Sequence, residues 1–103
     1  MKVVFLLAAD MDVQAAYEYL DLVNEGLGDR FLAELEAGTR QISAFPLSCR
    51  LHLDDYRRLV MPRFPYGVFY VIESDRIVIH AIMDLRQSTE TIRRRLLGPR
   101  GAF

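Results

Sequence analysis

The sequence predicts one α+β domain, a helical hairpin packed on a four-stranded, mainly antiparallel sheet. Two observations carry that prediction. Apolar residues recur at helical spacing in the first half of the chain, and they alternate or run unbroken at strand spacing in the second. Gly, Pro and Asn punctuate the change of period, which gives the order β-α-α-β-β-β-α across residues 1–103 as a single domain.

Residues 2–8, apolar from Val3 onward in a run that extends to Ala9, read as a strand buried on both faces. Seven apolar residues are too few to span a bilayer, and no other stretch is longer, so no membrane partner is expected. Asp10 or Asp12 offers a helix cap. Val13, Ala16, Tyr17, Leu20 and Val23 then draw one apolar stripe of a first helix. Asn24-Glu25-Gly26-Leu27-Gly28 turns the chain. A second helix runs from Asp29, with Phe31, Leu35, Ile42 and Phe45 on one side and Gly38 in the seam, and Pro46 stops it. A short Gly-rich link between two helices predicts an antiparallel hairpin.

Residues 46–55 read as a loop. Residues 57–63 follow as a strand, and Phe64-Pro65 interrupts it, because Pro donates no ladder hydrogen bond. Residues 66–73 and 76–84 are two further strands joined by the two-residue turn Ser74-Asp75. In the last strand, strict alternation puts Ile77, Ile79, Ala81 and Met83 on one face and Val78, His80 and Ile82 on the other. Both faces are mostly apolar, which places the strand in the sheet interior. Gln87-Ser88-Thr89-Glu90 supplies helix-start chemistry. A short helix carries Ile92, Leu96 and Leu97 on one side and Arg93, Arg94 and Arg95 around the rest, and ends at Gly98-Pro99.

The net charge of −1 hides an asymmetry. Residues 1–56 carry four bases against ten acids, and residues 57–103 carry nine arginines against four acids. Arginine forks match phosphate and carboxylate, so the basic half is suited to nucleic acid or an acidic protein segment. Cys49 is the lone cysteine, which excludes an internal disulfide and accords with a reducing cytoplasm. No phosphate-cradling Gly loop or nucleophile motif is present, and no cofactor or metal is expected. His52 with Asp54 and Asp55 is the nearest approach to a ligand set, but three ligands so close in sequence need a special turn. His80 sits in an apolar strand and reads as a core residue.

Three stretches resemble the ParE/RelE toxin superfamily. Asp12–Leu20 resembles the first-helix pattern of ParE-like toxins. Phe45-Pro46-Leu47-Ser48-Cys49-Arg50 resembles the end of their second helix. Most specific is Tyr56-Arg57-Arg58-Leu59-Val60-Met61-Pro62-Arg63-Phe64-Pro65-Tyr66-Gly67-Val68-Phe69-Tyr70, whose Arg-Phe-Pro-Tyr core leads into an alternating strand. Residues 77–86 look like the last strand of that superfamily.

The resemblance implies a cytoplasmic bacterial toxin of a type II toxin–antitoxin pair. It would be held by a cognate antitoxin as a heterodimer or heterotetramer. ParE-like members block DNA gyrase by binding, whereas RelE-like members cut mRNA on the ribosome. The RelE pattern falls on Arg58, Val60, Gly67, Arg86 and Ile92, so only Arg58 and Arg86 keep a suitable side chain. The ParE-like His and arginine pair after the last strand falls on Asp84, Arg86 and Gln87. The reading is therefore a gyrase-binding toxin, with a ribosome-dependent nuclease or an inactive antitoxin-binding module as alternatives. Target contacts are expected from Arg57, Arg58, Arg63, Arg86, Arg93, Arg94 and Arg95. Antitoxin contacts are expected from Tyr17, Leu20, Phe31 and Leu35. The acidic hairpin, with Glu18, Asp21, Glu25, Glu34 and Glu36, implies basic residues in the antitoxin segment.

Overall fold

The computed structural model describes residues 1–98. Strand β1 (Lys2–Phe5) leads into helices α1 (Leu7–Val23) and α2 (Leu27–Ala44). Strands β2 (Leu51–Leu53), β3 (Tyr56–Val60), β4 (Tyr66–Glu73) and β5 (Arg76–Asp84) follow, then helix α3 (Thr89–Leu97). One sheet runs β1-β5-β4-β3-β2, parallel between β1 and β5 and antiparallel elsewhere. The α+β architecture stands, but the sheet has five strands where four were expected. No helix among the described residues is long and apolar enough to cross a membrane.

The fifth strand is β2, inside the expected loop. Leu51-His52-Leu53 pairs with the start of β3 across a turn at Asp54-Asp55, where Asp54 adopts φ 50°. Aspartate tolerates this left-handed geometry, so the turn forms without glycine. β3 covers Tyr56–Val60 rather than 57–63, and Met61 leaves the ladder to donate its N–H to the Tyr66 carbonyl at 2.9 Å.

The first strand is also shorter than expected, and it lies at an edge. Its Val3, Val4 and Phe5 are half-buried rather than enclosed on both faces. Helix α1 begins at Leu7, three residues before Asp10. Leu6 precedes it in extended conformation without a side-chain cap. Leu7-Ala8-Ala9 favours helix intrinsically, and Ala9 is fully buried. Asp12 is thereby freed from capping and reaches the sheet instead. One carboxylate oxygen accepts the Ile82 N–H at 3.0 Å. This satisfies an edge of β5 that runs on past the end of β1.

Helix α2 starts at Leu27, after Gly26 at φ 89°. Asp21 accepts the N–H groups of Gly26 and Gly28 at 3.2 and 2.9 Å, which closes the interhelical turn. A Cβ on Gly28 would stand 2.7 Å from the Tyr17 ring and 2.9 Å from the Tyr17 carbonyl, so the hairpin closes this tightly only on glycine. Phe31, Leu35 and Ile42 are buried as the stripe predicts, but Phe45 and Val23 are largely exposed.

Two cores result. The hairpin buries Ala16, Leu20, Phe31, Leu35 and Ile42 against Tyr66, Val68, Tyr70, Ile77, Ile79 and Ile82. Helix α3 buries Ile92 and Leu96 against Tyr56, Phe69, Val71, Ala81 and Met83 on the opposite face. Strict alternation in the last strand fails at one point. Tyr70 pairs with Ile79 but Phe69 pairs with Ala81, so His80 is an extra residue in the ladder. Beyond this bulge the faces exchange: Ile82 joins the hairpin side, and Ala81 and Met83 turn to α3. Ser88 caps α3 by accepting the Thr91 N–H at 3.0 Å. Gly98 follows the helix, and Pro99 lies outside the described residues.

Candidate functional site: a groove beside the helical hairpin

The Arg63-Phe64-Pro65-Tyr66 stretch acts as a buckle. Phe64 and Tyr66 grip the Phe31 ring of α2, with centroids 5.8 and 5.3 Å away. The Arg63 N–H donates to Glu34 Oε1 at 2.9 Å, and the Pro65 carbonyl accepts the Leu85 N–H at 2.7 Å. Three parts of the chain are thus fixed together: α2, the β3–β4 connection and the exit from β5.

They enclose an open groove of about 780 Å³. Its walls are the end of α1 at Tyr19, Leu20 and Val23, one side of α2 from Leu27 to Ala37, and the connection from Pro62 to Tyr66. Its lining is mostly apolar, with Arg30, Arg63, Arg86 and Glu34 as its charged groups. A smaller polar pocket of about 260 Å³ adjoins it, sharing Tyr19 and Tyr66 and including Asp12, Asp84, Gln87 and Arg95.

Arg86 is held at the groove's end by a fork onto Asp84, with Nε–Oδ1 at 3.0 Å and Nη2–Oδ2 at 2.7 Å. That hydrogen bonding holds the Asp84 carboxyl below its ordinary range. Burial, with the Asp84 charge nearby, pushes the Tyr66 phenol up, so its hydroxyl stays protonated through neutral pH. Nothing in the groove pairs a nucleophile with a base. Among the described residues no group of three His, Cys, Asp or Glu side chains could hold a metal ion.

The expected target arginines do not form one cluster. Arg63 and Arg86 meet at the groove, where Arg30 joins them. Arg57 turns to the hairpin side and donates to the Cys49 carbonyl at 2.6 Å. Arg58 lies on the α3 side, where burial of the His52 ring, and after it the Arg58 charge, depress the His52 pKa. The two side chains retained from the nuclease pattern, Arg58 and Arg86, therefore fall on different faces. The position of the nuclease tyrosine, Ile92, is buried in the α3 core. Arg93 and Arg94 project from α3, with Arg94 3.6 Å from Glu90. Arg95 forks onto Asp12 at 3.1 and 2.7 Å and ties α3 to α1.

Of the expected antitoxin contacts, Phe31 is fully buried, and Leu20 and Leu35 are 7% and 5% exposed. They face the sheet because the stripe that marks a helix in sequence is the stripe that folding consumes. Tyr17 is half-buried and donates to Asp29 at 3.2 Å. Of these four, only Leu20 reaches the groove lining. Tyr19, Val23, Leu27, Arg30, Ala33 and Ala37 also line the groove, and none of them was expected as a contact from the sequence. Tyr19, Leu27, Ala33 and Ala37 are apolar or small residues beyond what one buried stripe needs, whereas Val23 belongs to the stripe and Arg30 carries no such signal. Tyr19, Leu22 and Val23 are 54%, 88% and 61% exposed.

A family model described as the ParE toxin of the type II toxin–antitoxin system parDE matches residues 3–89. Among solved structures, a chain of the chromosomal ParDE toxin–antitoxin system from P. aeruginosa is similar at 16% identity, with a TM-score of 0.62. That alignment covers 82% of this chain and 95% of the other. No curated protein matches the chain.

Proposed function

The chain belongs to the ParE toxin family of type II toxin–antitoxin systems, and from that premise we propose that it inhibits DNA gyrase by binding and is neutralised by an antitoxin seated in the groove. The observation that supports the seat is the groove itself. An open apolar trough with charged edges, walled by two helices and a rigid connection, suits a segment that folds as it binds. Its end at Arg86 puts that segment beside the one arginine shared by the two superfamily patterns. Inhibition by binding is favoured over cleavage because Arg58 and Arg86 lie on different faces and Ile92 offers no proton.

Expression without the antitoxin, followed by two assays, tests the reading. The expected result is loss of gyrase supercoiling with intact mRNA by primer extension. Robust ribosome-dependent cleavage by the unmodified protein would overturn it. Arg86→Ala is expected to lower inhibition while shifting the melting temperature by no more than a few degrees, since Arg86 is largely exposed and such a pair contributes under about 1 kcal/mol.

A further inference from the structure

The acidic composition of the hairpin calls for a basic partner, but the folded groove calls for the opposite. Most of the hairpin's acids are engaged elsewhere. Asp21 is spent on the two glycine N–H groups of the turn. Glu36 pairs with Arg40 at 3.1 Å, and Glu18 accepts from Gln14 at 2.9 Å. Only Glu34 lines the groove, and its carboxylate already accepts the Arg63 N–H.

Against it stand three guanidinium groups from three separate elements: Arg30 on α2, Arg63 on the β3–β4 connection and Arg86 after β5. Arg86 is shared with Asp84, but neither Arg30 nor Arg63 has a carboxylate within ion-pair distance among the described residues. The groove is thus apolar below and cationic at its edges. The α2 wall offers Leu27, Ala33 and Ala37, and the two alanines leave room for another helix to approach closely.

We infer that the segment filling this groove is an amphipathic helix with an apolar stripe inward and carboxylates along its flanks, which pair with Arg30, Arg63 and Arg86. The inference rests on the groove being the antitoxin's seat, and it adds the chemistry of the occupant. The unpaired Arg30 and Arg63 guanidiniums beside an apolar trough repel a lysine-flanked helix and attract a glutamate-flanked one.

Three short synthetic helices test this directly. Each carries the same leucine stripe at i, i+3 and i+7, with Glu, Gln or Lys at the flanking positions, and a fluorescent label for anisotropy. The Glu-flanked helix is expected to bind about tenfold tighter than the Lys-flanked one at low salt. The gap should close at high salt, where the screening length is short. Arg30→Glu combined with Arg63→Glu should reverse the order, with the fold checked by circular dichroism. Equal or tighter binding of the Lys-flanked helix overturns the inference, as does an unchanged order in the double variant.

The failures separate. If all three helices bind alike, with affinity lost in Ala33→Arg, the groove is still a helix seat and only its charge preference falls. If none binds while the antitoxin still does, the seat and the inference fall together, and the gyrase assay stands apart from both.

Discussion

On one face of the sheet, helices of 17 and 18 residues are closed on each other by a two-glycine turn and clamped by the Arg63–Tyr66 buckle. On the other face a nine-residue helix rests on Phe69, Ala81 and Met83 and is tied down by Arg95 on Asp12. The Tyr56 hydroxyl also donates to the Leu96 carbonyl at 3.0 Å. Both faces are sealed, but by different means. The hairpin face holds through apolar area and ring packing. The α3 face is smaller and depends more on a few polar ties. A surface that must stay in place while something docks beside it belongs on the first kind of face, and the groove is there.

Core truncation should break the comparison most strongly. Phe31→Ala removes a fully buried ring held between Phe64 and Tyr66, and is expected to cost about 3–5 kcal/mol in chemical denaturation. It should also abolish helix binding in the groove. Ile92→Ala on the α3 face should cost nearer 2 kcal/mol, because its helix is short. A larger loss from Ile92→Ala than from Phe31→Ala would reverse the ranking of the two faces.

Gly28→Ala comes next. The new methyl must displace Tyr17, whose carbonyl cannot swing away as its ring can, so a loss of about 1–3 kcal/mol is expected. Asp12→Ala is of the same order, roughly 1–3 kcal/mol, because it strands the Ile82 N–H and releases Arg95. Hydrogen exchange would sharpen the comparison here. Amides of α3 should lose protection in Asp12→Ala while those of α2 keep theirs.

The smallest effect is a pH dependence. Burial pushes the Tyr70 phenol well above its ordinary value near 10, and its hydroxyl donates to the Pro46 carbonyl at 2.9 Å. A group whose pKa rises on folding stabilises the fold below its unfolded pKa, and that stability is lost as pH climbs toward the folded value. Stability should therefore decline from about pH 10 upward. Tyr70→Phe should flatten that decline while costing about 1 kcal/mol at neutral pH. An equally steep alkaline limb in the variant would place its origin elsewhere, with the Tyr66 phenol the next group to examine.

The parts of the fold that were legible in the sequence are those built by local rules. The stripes of α1 and α2, the Ser74-Asp75 turn and the Ser88 cap are written in neighbouring residues. The missed parts depend on pairing. Strand β2 is three residues joined by an Asp-Asp turn that carries no glycine signal. The bulge at His80 exists only in the register of β5 against β4, and no residue type announces it. The start of α1 went to Leu7 because Ala8-Ala9 outweighed the capping chemistry of Asp12, which serves a strand far away in sequence. The candidate site divides similarly. Arg63 and Arg86 were visible as arginines, but their meeting with Arg30 is a product of the buckle. Leu20, Phe31 and Leu35 carry the regularity that marks buried residues, and that regularity points inward rather than to the surface.

The parallel pairing of β1 with β5 sets a schedule for assembly. Lys2 is matched with Arg76, 74 positions later. The helical hairpin can form from near neighbours as the polypeptide is made, but the first strand must wait for the fifth. At roughly 5–20 residues per second of synthesis, that wait is roughly 4–15 s. During it the apolar underside of the hairpin has no sheet to cover it, and Tyr66, Arg63 and Arg86 have not yet met α2. The groove therefore exists only in the finished molecule. If the antitoxin is seated there as proposed, it would distinguish a completed chain from a nascent or misfolded one.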